Sequence, residues 1–197
     1  MTREPIPQAR FRELIAAICK KRYTAEDAAK FGEIEDWDTS RVTDMSKAFR
    51  TYPHFNRDIS RWDVSRVTNM SGMFFGAEVF DQPLERWDTG RVTDMSYMFY
   101  GARVFNRPLE RWDTGRVTNM QGMFFAAKTF RQSLARWTVT TSAARPVVLY
   151  LTYGDMPIDD NNPSMSLKPD WGRVRAPRVV FLREEAEAEA ETREQAS

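Results

Sequence analysis

The sequence has very few of the residues on which reactive sites and covalent cross-links depend. Cys19 is the only cysteine and His54 the only histidine among 197 residues. A single cysteine cannot form an internal disulfide, so nothing in the sequence marks an oxidising compartment. Neither residue has a partner for catalysis nearby in sequence. We therefore predict that His54 is a surface residue and that Cys19 is a small, partly buried side chain.

Long apolar runs and a strong charge of one sign are also missing. The apolar stretch near the amino terminus covers only residues 14–19, whereas a span of the bilayer needs about 20 apolar residues. The same region lacks the apolar segment and cleavage site of a secretory signal. Lysine and arginine number 29, and aspartate and glutamate 28. We expect no membrane span, and a dedicated nucleic-acid binder is disfavoured.

Recognisable catalytic patterns are missing as well. The chain shows no phosphate-binding glycine loop, no metal-ligand cluster and no Ser/His/Asp arrangement. We therefore predict no catalytic, cofactor-binding or metal-binding residues, and a protein that is not an enzyme.

What the sequence does contain is a repeat of 25 residues. The block "RWDVSRVTNMSGMFFGAEVFDQPLE" is followed directly by "RWDTGRVTDMSYMFYGARVFNRPLE", and the two agree at most positions. Four copies without insertion cover residues 36–135, a pattern typical of stacked repeat architectures. The columns predicted to form the core are Trp37, Trp62, Trp87, Trp112 and Trp137; Phe55, Phe80, Phe105 and Phe130; Met45, Met70, Met95 and Met120; and Phe49, Phe74, Phe99 and Phe124.

Apolar spacing changes within each repeat. Val67, Met70, Phe74 and Ala77 fall on one face of a helix, with Thr68 as a candidate N-cap. The following "VFDQPLERWD" has strand-like features, and a turn at "DVS" or "DTG" completes the coil. The sequence predicts an α/β fold: a short right-handed, leucine-rich-repeat-like solenoid of about four coils, each with a short parallel strand and a short helix. A lone coil buries too little apolar surface to offset the entropy of ordering 25 residues, so the coils must stack.

The repeat resembles that of a known family. Residues 105–127, "FNRPLERWDTGRVTNMQGMFFAA", match the pattern of the BspA-like leucine-rich-repeat surface proteins, a 25-residue repeat domain of unknown function also found in mycoplasma lipoproteins. The resemblance implies a non-catalytic solenoid used for adhesion or protein–protein contacts. Members are found in bacterial surface proteins, protists and large DNA viruses. The sequence leaves the compartment open, and the expectation is an intracellular protein or part of an assembly such as a virion, with the cell surface as the alternative.

The flanking segments complete the predicted organisation. Residues 1–35 form a helical N-terminal cap, with Thr24 as an N-cap, and residues 36–142 form the solenoid. Its coils are 36–60, 61–85, 86–110 and 111–135, with a degenerate end at 136–142. An extended, strand-containing arm covers 143–182, either capping the solenoid or reaching to a neighbour. The acidic stretch 183–197 is expected to be a solvated or disordered tail.

Two kinds of charged column are candidates for function. Aspartates follow the tryptophans at Asp38, Asp63, Asp88 and Asp113. Arginines form two lines, Arg41, Arg66, Arg91 and Arg116, and Arg61, Arg86, Arg111 and Arg136. The favoured interpretation is an interlaced Asp–Arg ladder whose aspartates cap turns, and an anion-binding face is the alternative. A calcium ladder is disfavoured because the oxygen ligands of known motifs are missing.

Three functional hypotheses follow. The leading one is a non-enzymatic interaction or structural subunit of a larger assembly, binding other proteins through the solenoid face and the arm. The alternatives are a secreted or surface adhesin of the BspA-like type, and a module that binds anions or nucleic acid through the arginine columns. The identity of the partner protein is not predicted.

Overall fold

The computed structural model of this chain describes residues 3–134, 136 and 137. Helical structure within that part ends where the first repeat begins: α1 is at Gln8–Cys19, α2 at Ala25–Phe31 and a 3-10 helix at Ile34–Asp36. None of these helices is long and apolar enough to cross a membrane. The predicted arm at 143–182 and tail at 183–197 lie outside the described residues.

Helix α1 buries one apolar face against the first repeats. Phe11, Leu14 and Ile15 are fully buried, which the three-to-four-residue spacing of an amphipathic helix explains. The ring of Phe11 meets the indole of Trp62 edge-on at 5.6 Å between centroids. The helix ends where Lys21 takes up a left-handed backbone conformation, with φ of 56°. The predicted helical segment before the repeats is therefore present.

Helix α2 begins at the predicted N-cap. The Thr24 hydroxyl accepts a hydrogen bond from the Asp27 backbone N–H at 3.1 Å, and it donates to the Asp27 carboxylate at 2.8 Å. Glu26 and Asp27 lie in the first turn, where the helix dipole favours negative charge. Gly32 ends the helix with φ of 76°. The predicted N-cap at Thr24 is confirmed.

The predicted helix in each repeat is wrong for the described residues. The backbone N–H groups of Met70, Gly72 and Phe74 donate to carbonyls of the next repeat, at 2.7–2.9 Å, instead of continuing a helical ladder. Between them, other N–H groups form hydrogen bonds within the same turn: the Met73 N–H donates to the Met70 carbonyl at 3.1 Å. Glycines at left-handed φ, 57° at Gly72 and 68° at Gly76, break any helical run. Thr68 is accordingly not a helix N-cap.

The predicted strand is also wrong for this part of the chain. Parallel pairing is reduced to isolated bridges that link Asp44, Asn69, Asp94 and Asn119 in succession. These bridges lie in the segment predicted to be helical, and the segment that follows Pro83 forms no strand. Each pairing is confined to one residue because the chain turns again at once. The α/β class and the leucine-rich-repeat solenoid of strand plus helix are therefore not supported, and the repeats are units built from turns.

These turn-built repeats pack face to face through aromatic columns. Phe74 stacks between Phe49 and Phe99 at 5.4 Å on either side, and Trp112 stacks on Trp137 at 6.3 Å. Each ring therefore supplies an apolar surface for the repeat before it and the repeat after it. The residues predicted as core columns are all buried, none exposing more than 6% of its surface.

The tryptophans also hold neighbouring repeats in register. The Trp112 indole N–H donates to the Leu84 carbonyl at 2.8 Å, and that of Trp137 to the Leu109 carbonyl at 2.8 Å. The same bond joins Trp62 to Ile34 and Trp87 to Ile59. Each of these four indoles satisfies its polar group on backbone 28 residues earlier. The indole N–H of Trp37 donates instead to the Tyr23 hydroxyl and the Gly32 carbonyl, so burial of the rings leaves no unpaired donor.

Side chains of α1 close the first edge of the stack. Backbone groups that would bond to a preceding repeat are met instead by Gln8. Its carboxamide oxygen accepts from Thr43 N–H at 2.8 Å and Asp44 N–H at 2.9 Å, and its NH₂ donates to the Asp44 carbonyl at 2.9 Å. Arg12 Nε donates to the Ser46 carbonyl at 2.8 Å. Since the Gln8 amide has the donor and acceptor of a peptide unit, it stands in for the missing repeat.

Candidate functional site

The aspartates that follow the tryptophans are used locally. Each carboxylate accepts from the backbone N–H two residues later, and these bonds are Asp38 to Ser40 at 3.0 Å, Asp63 to Ser65 at 2.9 Å, Asp88 to Gly90 at 3.1 Å, and Asp113 to Gly115 at 2.9 Å. This is the turn-capping role predicted from the sequence. It orients the carboxylates toward their own turns.

The first arginine line does not complete the predicted Asp–Arg ladder. Arg41, Arg66, Arg91 and Arg116 are all exposed. No ion pair among residues 3–134, 136 and 137 joins this line to the aspartates or to any other carboxylate. Because the stack repeats at a constant interval, the four guanidinium groups form a regular cationic row. We call these four residues the arginine row.

Two members of the arginine row line an open depression of about 500 Å³. Arg91 and Arg116 contribute the positive charge, Thr68 and Thr93 contribute hydroxyls, and Asp88 places one carboxylate at the rim. The two threonine hydroxyls already donate to backbone carbonyls, Thr68 to Thr43 at 3.3 Å and Thr93 to Thr68 at 3.1 Å. The depression therefore offers guanidinium groups as its main donors to an incoming anion.

The second arginine line is engaged in part. Arg61 pairs with Asp36 at 3.4 Å and Arg136 with Glu110 at 3.6 Å. Both guanidinium groups are about three quarters exposed, 77% and 76%, so these pairs contribute little to stability. Arg86 and Arg111 are exposed. The two lines thus differ, since carboxylates neutralise the ends of the second line.

A polar ladder stabilises the loop on which each repeat returns. The Asn56 side-chain oxygen accepts from Asp81 N–H at 3.0 Å, Asp81 from Asn106 N–H at 3.0 Å, and Asn106 from Arg131 N–H at 2.9 Å. Asn56, Asp81 and Asn106 recur at the 25-residue interval in the sequence, and this spacing is similar to that of the asparagine ladders of other solenoids. These side chains satisfy backbone donors of the next repeat.

A second polar column was missed by sequence reasoning. Asp44, Asn69, Asp94 and Asn119 each accept from the backbone N–H two residues later at 2.8–3.1 Å. Burial favours the neutral acid at Asp44, but hydrogen bonds from Ser46 and the charge of Arg12 outweigh it and lower the pKa. The alternation of Asp and Asn at a 25-residue interval was the signal available in the sequence.

An outer aromatic column was also missed. Phe75 stacks on Tyr100 at 4.5 Å and Tyr100 on Phe125 at 4.9 Å, with nearly parallel rings. All three rings are partly buried. The guanidinium group of Arg50, one repeat earlier, lies 4.8 Å from the centre of the Phe75 ring. The constant interval of 25 residues was visible in the sequence, but helical periodicity assigned these positions no particular role.

The chemically reactive side chains are placed as follows. Cys19 is partly buried, and burial raises the pKa of its thiol to about 11, although the charge of Arg57 acts in the opposite direction. The thiol is therefore protonated at neutral pH and a weak nucleophile. His54 is exposed. Within the described part of the chain, no three His, Cys, Asp or Glu side chains lie close enough to hold a metal ion.

Comparison with known proteins gives one match. The model of a family described as "Mycoplasma protein of unknown function, DUF285" matches residues 19–137. No curated protein and no solved structure matches the chain. The match confirms the predicted resemblance to a mycoplasma repeat family of unknown function. It does not confirm the BspA-like placement, and it gives no support to the expected virion component. Together with the missing strands in the described residues, it corrects the leucine-rich-repeat description.

Proposed function

We propose, for a chain that belongs to the DUF285 family of mycoplasma proteins of unknown function, a non-enzymatic role as a protein-binding or structural subunit of a larger assembly. The observation that carries this proposal is the arginine row. Its four guanidinium groups are exposed and have no carboxylate partner in the described residues, while the neighbouring aspartates are committed to turns.

The stack beneath the arginine row is suited to presenting a surface. Aromatic rings and indole hydrogen bonds hold each repeat against its neighbours, so the exposed side chains are displayed from a rigid core. Because the backbone of the repeats is already ordered, binding has to order only the arginine side chains themselves, which favours affinity. Arginine is also a residue that protein interfaces favour, since its planar group binds carboxylates in a bidentate manner. An acidic protein surface is therefore the complementary partner.

The test is capture of partners by the purified full chain and by an arginine-row variant that lacks three of the four arginines. Arg66, Arg91 and Arg116 are changed together to alanine, and the matched control changes Arg61, Arg86 and Arg111 of the second line. Both triple variants remove three positive charges, so a general charge effect would alter both equally. Proteins cross-linked in the native extract are compared by mass spectrometry.

We expect a reproducible set of captured proteins for the unmodified chain and for the control, and loss of that set with the arginine-row variant. Equal capture by the arginine-row variant and the unmodified chain would contradict the proposal. Robust turnover of a small molecule, abolished by changing a single polar side chain, would contradict the non-enzymatic role.

Anion binding is a second candidate, favoured by the depression between Arg91 and Arg116. If a nucleic acid is the partner, its affinity falls steeply as salt rises from about 50 to 200 mM, because counterions are released from the phosphates. Fluorescence anisotropy with a labelled single-stranded oligonucleotide measures that slope. A slope that the arginine-row variant does not reduce would rule out nucleic-acid binding through this row.

A further inference from the structure

Two positions in every repeat are held in the left-handed backbone region. One carries small residues, at Thr51, Gly76, Gly101 and Ala126, and the other alternates between large residues and glycine. At this alternating position the φ angles are 57° at Lys47, 57° at Gly72, 55° at Tyr97 and 61° at Gly122. Glycine adopts this conformation freely, whereas a residue with a Cβ atom is strained there. The second and fourth repeats have the unstrained residue, and the first and third carry large side chains instead. Such strain is characteristically retained at positions with a function.

The alternation of large and absent side chains leaves a notch over Gly72. We call this feature the Gly72 notch; its volume is about 330 Å³, and it is lined by Lys47, Arg50, Gly72, Phe75 and Tyr97, together with Ser71 and Ser96. A Cβ atom added at Gly72 would meet nothing closer than 3.7 Å. One repeat further on, a Cβ atom at Gly122 would lie 2.8 Å from the Tyr97 ring. The tyrosine thus rests against Gly122, and the space over Gly72 stays open.

The lining of the Gly72 notch combines positive charge with aromatic surface. Lys47 and Arg50 are exposed, and no ion pair in the described part of the chain involves either of them. Phe75 forms an apolar wall that continues into the stacked ring of Tyr100. Tyr97 is 37% exposed, one of three large apolar side chains exposed to this degree among the described residues. No carboxylate lines the notch.

We infer that the Gly72 notch is a docking site for an acidic and aromatic segment of a protein partner, in which a Glu or Asp side chain neighbours a Phe or Tyr. The carboxylate pairs with Lys47 and Arg50, and the ring packs on the exposed ring of Tyr97. The Phe75 ring, which Arg50 and Tyr100 contact, forms the partly buried wall beside it. This inference rests on the protein-binding role proposed above and adds a surface and a partner chemistry to it. Charge complementarity and exposed aromatic area together distinguish the notch from the arginine row, which offers charge alone.

The binding experiment uses the full chain and a labelled eight-residue peptide of alternating Glu and Phe. Two control peptides replace either every Glu by Gln or every Phe by Ala. Fluorescence anisotropy should show that the Glu/Phe peptide binds at least about tenfold more tightly than either control. If the Glu/Ala peptide binds as tightly as the Glu/Phe peptide, the site recognises charge alone. If the Gln/Phe peptide binds as tightly, the site recognises apolar surface alone. Either result overturns the inference.

Three variants of the notch separate binding from folding. Lys47→Gly and Tyr97→Gly introduce the residue that the second and fourth repeats already carry, so the turn is retained. Gly72→Asn fills the notch with a residue that tolerates the left-handed region. We expect each variant to weaken peptide binding by about fivefold or more with thermal unfolding no earlier than in the unmodified chain for the two glycine variants. Arg111→Ala, which removes an exposed cation outside the notch, should leave binding unchanged.

Competition in the same binding assay distinguishes other molecules that could occupy the Gly72 notch. A peptide of residues 183–197, or an oligonucleotide of the same charge, is added as a competitor. Displacement of the Glu/Phe peptide by either at similar concentration would assign the notch to the chain's own acidic segment or to polyanions, and would overturn the inference. If Lys47→Gly captures the same proteins as the unmodified chain while the arginine-row variant does not, the notch is refuted and the protein-binding role stands.

Discussion

The N-terminal helices and the repeats satisfy their backbone hydrogen bonds in different ways. In α1 and α2 the backbone hydrogen bonds close within the element, and only one face of each helix needs a neighbour. In the repeats, successive N–H groups alternate between their own turn and the next repeat, as at Met73 and Phe74. A helix can thus begin to form alone, whereas a repeat has half of its backbone bonds in another repeat. Repetition is the condition for its stability.

The same comparison shows where individual residues matter. Inside the stack, one ring or one indole bond is copied from repeat to repeat. At the first edge the copies end, and the unmatched groups of Thr43, Asp44 and Ser46 are bonded by Gln8 and Arg12 of α1. The cap is therefore a specific complement to the stack, built from side chains that mimic backbone.

The largest expected effect is the loss of a ring from the middle of the stack. Phe74→Ala should lower the free energy of unfolding by about 3–5 kcal/mol, because the ring is fully buried and touches rings on both sides. Urea denaturation measures the change. Val79→Ala, at a side chain 38% exposed, should cost less than about 0.5 kcal/mol. Similar costs for the two variants would show that the repeats do not share a packed core.

The second largest effect on stability is expected from the loss of Gln8, whose side-chain amide replaces a preceding repeat at the first edge of the stack. Gln8→Ala removes the partners of two N–H groups and one carbonyl in the first repeat, and we expect a loss of about 1–3 kcal/mol. The control is Gln121→Ala in the fourth repeat, where the side chain is exposed. If both glutamine variants unfold at the same urea concentration as the unmodified chain, α1 does not cap the stack in the way described.

A smaller effect distinguishes a true helix N-cap from a threonine with a different role. Thr24→Ala should cost about 1 kcal/mol, because its oxygen accepts from Asp27 N–H at the start of α2. Thr68→Ser keeps the hydroxyl that donates to the Thr43 carbonyl, so stability should change little. Amide hydrogen exchange should show faster opening of α2 in the first variant only. Protection of α2 that is equal in both would contradict this assignment.

The smallest effect is a pH dependence at the junction of cap and stack. The pKa of Asp44 is lowered in the folded chain, so its contribution to stability is present above the unfolded value of 3.8 and is lost as pH falls through the lower folded value. Asp44→Asn keeps the turn, as Asn69 does in the next repeat, but removes the ion pair with Arg12. Its stability should therefore depend less on pH below about 5.

Denaturation curves at several pH values test that difference. Asp94→Asn serves as the control, because no arginine of the described residues pairs with that carboxylate. An unchanged pH profile in the Asp44 variant would contradict the assigned ion pair.

Much of the packing was predictable, and the secondary structure of the repeats was not. The columns headed by Trp37, Phe49 and Phe55 follow from a constant interval of apolar residues, and they are buried. The helix predicted from Val67, Met70 and Phe74 was wrong because their spacing fits a tight turn with lateral bonds equally well. Only the direction of the N–H groups distinguishes the two, and side-chain periodicity does not report it.

The candidate sites also include one part that could be predicted from the sequence and one that could not. The arginine row was visible as a column, and the turn-capping role of Asp38 was predicted from local chemistry. The Gly72 notch was not predicted, because it depends on residues of three repeats meeting at one point and on Tyr97 resting against Gly122.

The 25-residue period, the apolar columns and the residues that cap local turns can all be found from the amino-acid sequence, because each of these depends on side-chain chemistry at fixed spacing. The packing of the repeats was needed to show that the backbone bonds run between repeats, that Gln8 replaces a missing repeat and that Lys47 and Tyr97 flank an open notch. Distance along the chain accounts for this division: these contacts join residues 24 or more positions apart, whose positions are set by how the repeats pack and not by any local preference.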